Sequence, residues 1–297
     1  MEIPVIQPGR HDNRPLIFQK VGIVGLGLIG GSIALAAREI WPASLVLGVD
    51  HKDVLEMAMR RHAIDVAADD LIVLAEADLI VLAAPVRQNI AVLAELGDHV
   101  RQPAIVTDTS STKRAILEAA RLLPDRFTFV GGHPLAGAAK GGLEHARPDL
   151  FNGRPWLLTP SGEGGGSAVE RLSAFASAFG AIPQIVGAGV HDRLLAFLSH
   201  LPQLTASALM EVVGDAVGQD GLALAGRGLA DSTRLASSPP EIWKDIAATN
   251  ADELGAALDA LIAILKDLRG DLSSGEQLTE VFNTAARCDH RHRQHEA

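Results

Sequence analysis

Residues 21–50 read VGIVGLGLIGGSIALAAREIWPASLVLGVD, and the order of their parts decides the fold. An apolar run at 21–24 leads into Gly25-Leu26-Gly27-Leu28-Ile29-Gly30. An alanine-rich stretch of helical character follows, and a second apolar run at 45–49 closes on Asp50. Strand, glycine turn, helix, strand and acid are the parts of a dinucleotide site, in the order such a site needs. Gly25 suits a tight turn, Gly27 a close approach of backbone N–H groups to a pyrophosphate, and Gly30 close packing of helix on strand. The helix N-terminus attracts the phosphates. A glycine-rich turn alone is a weak signal; its strand, its helix and an acid twenty residues past Gly30 make this one specific. Asp50 suits a bidentate contact to a ribose diol and would repel a 2′-phosphate, which favours NAD over NADP. The competing reading of Asp50 is a helix cap in a loop. Gly25, Gly27, Leu28, Ile29, Gly30 and Asp50 are the candidate cofactor-binding residues of this stretch.

Beyond it, 53–61 reads as a short helix, 79–83 and 104–108 as buried strands, and 113–123 as a helix through Ile116, Leu117, Ala120 and Leu123. A further strand at 127–130 ends in Gly131-Gly132-His133-Pro134. Residues 156–159 and 184–186 could add edge strands, with a glycine-rich loop at 162–166 and a helix at 169–179 between them. Strands alternating with helices predict a doubly wound parallel sheet of the α/β class. Residues 1–19 carry Pro4, Pro8, Gly9 and Pro15 with little periodicity, so a flexible arm is expected there. The Rossmann-type domain is placed at 20–188.

From His191 onward the strand signal fades. Helical stretches at 192–201, 203–213, 242–249 and 252–269 predict an all-helical domain over 189–297. Its Ala- and Leu-rich helices are apolar on several faces, which points to a homodimer through this domain, although a tight monomeric bundle would read alike. The stretch 288–295 is His-rich; a solvated, frayed terminus is favoured over a metal site, and no metal is expected.

The chain has 297 residues and a formal net charge of −10, which disfavours nucleic acid or an anionic membrane as partner. An anionic small-molecule substrate would need a local basic pocket. The single cysteine, Cys288, cannot form an internal disulfide, and no leader pattern or membrane-length apolar run is evident, so a cytoplasmic location is expected.

In a doubly wound sheet, function collects at the carboxyl ends of the strands. Pro85 ends a strand where the cofactor should lie. The hydroxyls of Thr107-Asp108-Thr109-Ser110-Ser111-Thr112-Lys113 stand at a helix start, where the ordinary role of each is an N-cap. His133 follows a strand between glycine and proline, and loops carry function disproportionately. In the helical region His200 lies just before Pro202, which bends a helix or starts a new one at its first turn. Asp192 and Ser199 lie seven apart, close to one helix face beside His200. Arg234, in a polar stretch of an apolar domain, has the guanidinium that carboxylate recognition requires.

Taken together, GLGLIGGSIA at 25–34, TDTSSTK at 107–113, GGHPLAG at 131–137, SHLP at 199–202, STRLA at 232–236 and Trp243-Lys244-Asp245-Ile246 stand in the order and spacing of the prephenate/arogenate dehydrogenase family. The chain resembles that family from residue 20 to about 270. The resemblance implies oxidative decarboxylation of prephenate to 4-hydroxyphenylpyruvate with hydride transfer to NAD+, on the route to tyrosine, or the same reaction on arogenate. It implies that His133 polarises the substrate's ring hydroxyl and takes its proton, and that Ser111 shares a hydrogen bond with that hydroxyl. It further implies that Arg234 binds a substrate carboxylate, that His200 helps hold the side chain, and that Trp243 belongs to the pocket wall. The chain departs from the family where Ala138-Ala139 precedes Lys140, since many relatives carry a hydroxyl and an acid there, and where Gln203 replaces a histidine. Two other readings compete. A β-hydroxyacid dehydrogenase would want a lysine on the helix after the sheet domain, where this chain offers only Arg193. A non-catalytic NAD-binding protein would tolerate loss of His133 or Arg234, and both are present.

Overall fold

The computed structural model describes residues 15–137, 140–162 and 166–296. Contacts divide the chain into two units: one runs to Leu195 and takes in Ser237–Thr249, and the other comprises Ala196–Ala236 and the residues from Asn250 onward. By contact, the division therefore falls after Leu195, where the sequence reading places it at 188/189, and a helical segment from the later part of the chain returns to the first unit.

The strands are β1 (Lys20–Val24), β2 (Leu45–Val49), β3 (Val66–Ala68), β4 (Leu79–Leu82), β5 (Ala104–Asp108), β6 (Phe127–Pro134), β7 (Pro155–Pro160) and β8 (Ile182–Ile185). The helices are α1 (Leu28–Ile40), α2 (Lys52–Arg60), α3 (Val86–His99), α4 (Arg114–Ala120), α5 (Gly166–Ala178), α6 (Ala188–Leu195), α7 (Leu201–Leu222), α8 (Arg227–Thr233), α9 (Pro240–Thr249), α10 (Ala251–Gly270) and α11 (Glu276–Glu296). The first unit is one eight-stranded sheet in the order β3-β2-β1-β4-β5-β6-β7-β8. Every pairing is parallel except β6 with β7.

The apolar strands are continuous because both faces of the sheet are covered. In β4, Leu79 and Val81 join one core cluster, with Trp41, Phe175 and Leu158, while Ile80 and Leu82 join the other, with Leu96, Val106 and Phe129. That alternation is the period of two of a strand. The order of strands reverses between β1 and β4, so a crevice for a ligand forms outside their carboxyl ends.

Several expectations are corrected. Of the arm expected at 1–19, residues 1–14 lie outside the described residues, and the stretch 15–19 is anchored at two points: Phe18 is buried edge-on against Phe175, and Trp41 Nε1 donates to Pro15 O at 3.1 Å. The proposed edge strand at 156–159 is interior, because β8 pairs on its far side; its antiparallel pairing with β6 brings Leu157 opposite His133. The centre of the glycine-rich loop at 162–166 lies outside the described residues.

The second unit is helical. A π-helical segment, Ala196–His200, runs into α7, and Pro202 sits in the first turn of α7, the helical position that best tolerates a missing N–H. Asp192 and Ser199 consequently belong to different elements and different units rather than to one helix face. The His-rich stretch lies within α11 rather than in a frayed end. Among the described residues, no helix is long and apolar enough to cross a membrane, and no group of metal-binding side chains converges.

Candidate active site

The glycine turn has the geometry its spacing implies. Gly25 adopts φ +89°, a conformation open to glycine, and a side chain on it would strike the backbone of Ala83 and Ala84 at the end of β4. Gly30 packs so closely that a Cβ would stand 1.9 Å from Gly25 O. A Cβ on Gly27 would meet nothing within 4 Å. Gly27 is the N-cap of α1 and offers no side-chain cap, so the amides of the first turn stand at the positive end of a 13-residue helix. A closed turn, an open face at Gly27 and a helix N-terminus together fit a dinucleotide pyrophosphate.

Asp50, at the end of β2, is half-buried and tied to that turn: Oδ2 accepts from Leu26 N and Oδ1 from His51 N, each at 2.6 Å. An ionised carboxylate has about four acceptor sites, so these bonds aim it without exhausting its capacity for ribose hydroxyls. Asp50 is thus not a helix cap; the N-cap of α2 is His51.

Pro85 is exposed and caps α3. The polar link here is Asn89, fully buried on α3. Its Nδ2 lies within hydrogen-bonding distance of Leu82 O, Ala84 O and Ser110 Oγ, and its Oδ1 accepts from Ala84 N at 3.1 Å. Asn89 thereby joins the end of β4 to the loop after β5. Ser111 follows in that loop, partly exposed, and Thr112 Oγ1 lies 2.8 Å from Thr249 Oγ1 on α9.

Beneath the loop lies a buried ion pair. Lys113 Nζ bonds Asp108 Oδ2, and both side chains are wholly inaccessible. Asp108 also accepts from Ser110 N and, through Oδ1, from Gly132 N, both at 2.9 Å. Burial pushes the Lys113 ammonium below its usual value, against the attraction of Asp108 and Asp192.

His133, buried at the end of β6, is the start of a second network. Its Nδ1 lies 2.9 Å from His191 Nε2, and His191 Nδ1 lies 2.8 Å from Asp192 Oδ1. Asp192 also accepts from the backbone N–H groups of Lys113 (2.6 Å) and Arg114 (2.9 Å) and from Arg114 Nε (3.1 Å). The carboxylate on α6 therefore fastens the start of α4. Burial lowers His191 below the ordinary imidazole value; its bond to Asp192 opposes this, and the charge on Lys113 reinforces it. Burial alone would raise Asp192, but the bonds from His191 and from the Arg114 and Lys113 amides outweigh it and hold the carboxyl below the ordinary carboxylate range.

The sequence-derived candidates thus fall into two groups. Gly25, Gly27, Leu28, Ile29, Gly30, Asp50, Pro85, Ser111, His133 and Trp243, which is half-buried on α9, belong to the first unit. His200 and Arg234 belong to the second. There His200 is buried with Nδ1 3.4 Å from Asn250 Nδ2, Gln203 Nε2 donates to Leu235 O at 2.8 Å, and Arg234 is exposed at the start of a 3-10 turn. The loop residues Ala138 and Ala139 lie outside the described residues. Sequence reasoning did not give Asn89, Asp108, Lys113, His191 or the true partners of Asp192 a part in the site. The available signal was an adjacent His-Asp pair opening a helix, together with a lysine and an aspartate bracketing the hydroxyl-rich loop.

Comparison with known proteins places these features in a family. Residues 33–183 match the model of the prephenate dehydrogenase nucleotide-binding domain, and residues 188–284 match that of the prephenate dehydrogenase dimerization domain. The chain is 34% identical over 271 residues to prephenate dehydrogenase of Bacillus subtilis, covering 89% of this chain and 73% of that protein. It is 31% identical over 279 residues to cyclohexadienyl dehydrogenase of Zymomonas mobilis, covering 92% and 95%. Among solved structures, prephenate dehydrogenase of Aquifex aeolicus in complex with hydroxyphenyl propionate and NAD+ superposes with a TM-score of 0.86 at 26% identity, covering 94% of this chain and 99% of that one.

Proposed function

The chain belongs to the prephenate dehydrogenase family, and we propose on that basis that it oxidatively decarboxylates prephenate to 4-hydroxyphenylpyruvate. The observation that carries the reading is His133, an imidazole held at the carboxyl end of β6 by a buried hydrogen bond, in the same unit as an intact dinucleotide turn. NAD+, held by the glycine turn and selected by Asp50, supplies the hydride acceptor. His133 takes the proton of the ring carbinol as its C–H bond breaks. The dienone carboxylate so formed loses CO2, and the electron pair of the breaking C–C bond completes the aromatic ring. The phenolate oxygen then takes back a proton. Because aromatisation drives the loss of CO2, the protein has no difficult carbanion to stabilise; it needs a base, an oriented acceptor and a cationic grip on a dianion. It is the family resemblance that assigns Ser111 to the reacting hydroxyl, Arg234 to a substrate carboxylate, and His200 and Trp243 to substrate contact.

The second unit is read as the contact surface of a homodimer. Leu209, Val212, Ile262, Leu265 and Phe282 are exposed large apolar residues on α7, α10 and α11, which supports that reading. Light scattering at twice the chain mass is expected, and a monomer would refute this part.

The deciding assay follows NADH formation with prephenate and, in parallel, with arogenate, whose side chain carries an amine in place of the keto group. Turnover of prephenate is expected. Turnover of arogenate alone moves the substrate assignment, and turnover of neither overturns the proposal.

A further inference from the structure

Two hydrogen-bonded rings and a carboxylate lie in line behind the candidate base: His133 Nδ1 to His191 Nε2 at 2.9 Å, and His191 Nδ1 to Asp192 Oδ1 at 2.8 Å. His191 and Asp192 are both wholly buried. We propose that His191 and Asp192 are positioning residues that hold His133 in the tautomer protonated at Nδ1, so that Nε2 is the nitrogen that receives the substrate's proton. This inference rests on the reading of His133 as the base.

Asp192 Oδ1 receives Lys113 N and His191 Nδ1, and its Oδ2 receives Arg114 N and Arg114 Nε. These donors fill the acceptor sites of an ionised carboxylate, which has none to donate. His191 must therefore present an N–H at Nδ1. A second proton, at Nε2, would make the ring cationic, and burial together with the neighbouring Lys113 charge opposes that, while Asp192 and Asp108 favour it; the balance leaves the ring's affinity for the proton below that of an ordinary imidazole. The groups that bear on it come from every side: Asp108 from β5, Lys113 and Arg114 from the start of α4, His133 from β6, and Asp192 from α6 itself. A neutral imidazole protonated at Nδ1 is an acceptor at Nε2, so the N–H between the two rings belongs to His133 Nδ1. The opposite assignment sets two nitrogen lone pairs against each other at 2.9 Å.

The arrangement does more than select a nitrogen. When His133 takes the proton and becomes an imidazolium, its Nδ1–H already faces a neutral acceptor, and that acceptor is bonded to an anion. Both ends of the relay are fastened to the backbone, His133 through β6 and Asp192 through the amides of Lys113 and Arg114. The ring is therefore oriented before substrate arrives.

The test uses the full-length protein with its imidazoles labelled with 15N. Long-range 1H–15N correlation of the wild type should show His133 protonated at Nδ1 and bare at Nε2, assigned by loss of its signals in His133→Asn. His191→Leu, which removes the acceptor, should shift His133 toward the Nε2-protonated form. The same variant should lower kcat by about 10- to 10²-fold, a share of the 10²–10⁴-fold a general base contributes, while KM for the substrate stays within threefold. His191→Gln, whose amide oxygen can accept from His133, should recover most of the loss. A wild-type spectrum with His133 protonated at Nε2 overturns the proposal, as does a His191→Leu protein that keeps both tautomer and kcat. The wild-type spectrum requires no variant to fold. It also reads the tautomer whether or not prephenate is turned over, so failure of the relay and failure of the functional reading are separable.

Discussion

Alanine at Gly27 and alanine at Gly30 should have opposite effects, although both add one methyl group to the same turn. At Gly30 the new Cβ would stand 1.9 Å from Gly25 O, a backbone atom that no rotamer change can move, and ordinary contact begins at 3.4 Å. The first turn of α1 must then retreat by about 1.5 Å. Overpacking of this kind costs ~1–3 kcal/mol, and the better helix propensity of alanine returns at most ~1 kcal/mol. We expect Gly30→Ala to lose roughly 1–2 kcal/mol of stability, seen as a lower urea midpoint at unchanged slope. At Gly27 the methyl meets nothing within 4 Å. Replacing glycine by alanine at an N-cap costs a few tenths to ~1 kcal/mol, so Gly27→Ala should unfold near the wild-type midpoint. Its Cβ occupies the space through which phosphate oxygens reach the α1 amides. Loss of one charge-assisted hydrogen bond, ~1.5–3 kcal/mol, weakens NAD+ binding by about 10- to 150-fold. Calorimetric titration of NAD+ against both variants, beside urea unfolding, separates the two effects. Undiminished NAD+ binding by Gly27→Ala would refute the assignment of that open face to pyrophosphate, and full stability of Gly30→Ala would refute the packing argument.

Other substitutions probe the remaining parts. His133→Asn should keep NAD+ affinity and lower kcat by about 10²–10⁴-fold, the range for a general base; stopped-assay rates within threefold of wild type would remove His133 from the chemistry. Arg234→Gln should act on KM for the substrate, raising it roughly 10- to 150-fold through loss of ~1.5–3 kcal/mol of charge-assisted bonding, and an unchanged KM would exclude the role. Asp50→Ala should erode the preference for NAD+ over NADP+ and, because Leu26 N loses its acceptor, weaken NAD+ binding itself; parallel titration of both cofactors reads the two effects. The pH dependence of stability has a definite sign. His191 binds its proton less readily folded than unfolded, so its contribution is complete above the ordinary imidazole value of 6.5 and is lost as pH falls below it. Asp192, held below the ordinary carboxylate value of 3.8, adds a further loss only in stronger acid. Unfolding midpoints measured from pH 8 to 5 should therefore fall on the acid side, and His191→Gln should flatten that slope.

The elements legible in the sequence were those whose own residues carry the signal. Unbroken apolar runs such as Leu79–Leu82 declare a buried strand, and the spacing of Gly25, Gly27 and Gly30 declares the turn they form. Three-residue β3 has no room for a pattern, and Val66 and Ala67 on it are exposed. Helix α3 was missed because Asn89 sits among Val86, Leu93 and Leu96 on its buried stripe, where a polar residue breaks the apolar period. The antiparallel turn from β6 into β7 follows from pairings more than twenty residues apart, which no local window contains. Of the site, the strand-end residues were readable, since their loops are marked by glycine and proline. What holds them was not. Asp192 reaches the start of α4 across a separation of 79 residues, and a carboxylate gives no sign in sequence of which amides it will accept.

The unread part of the site shares one construction, which explains why so many polar groups are buried there. Lys113 is bonded at both ends: its ammonium to Asp108 on β5 and its backbone N–H to Asp192 on α6. Asp108 in turn holds Ser110 N and Gly132 N, one residue short of Ser111 and of His133. Apolar packing could bury this loop at less electrostatic cost, but it is non-directional and leaves a hydroxyl or an imidazole free to turn. Hydride transfer is sensitive to displacements of about 1 Å, so orientation is worth the desolvation of an ion pair. The same reasoning sets the consequence of breaking it. Lys113→Met leaves Asp108 charged and buried with only two amides, at a cost of about 3–5 kcal/mol, whereas changing Asp108 and Lys113 together to apolar residues would restore much of that stability. The double variant would still lack the acceptor for Gly132 N and Ser110 N. Its stability and its kcat should therefore part company, which a purely structural ion pair would not produce.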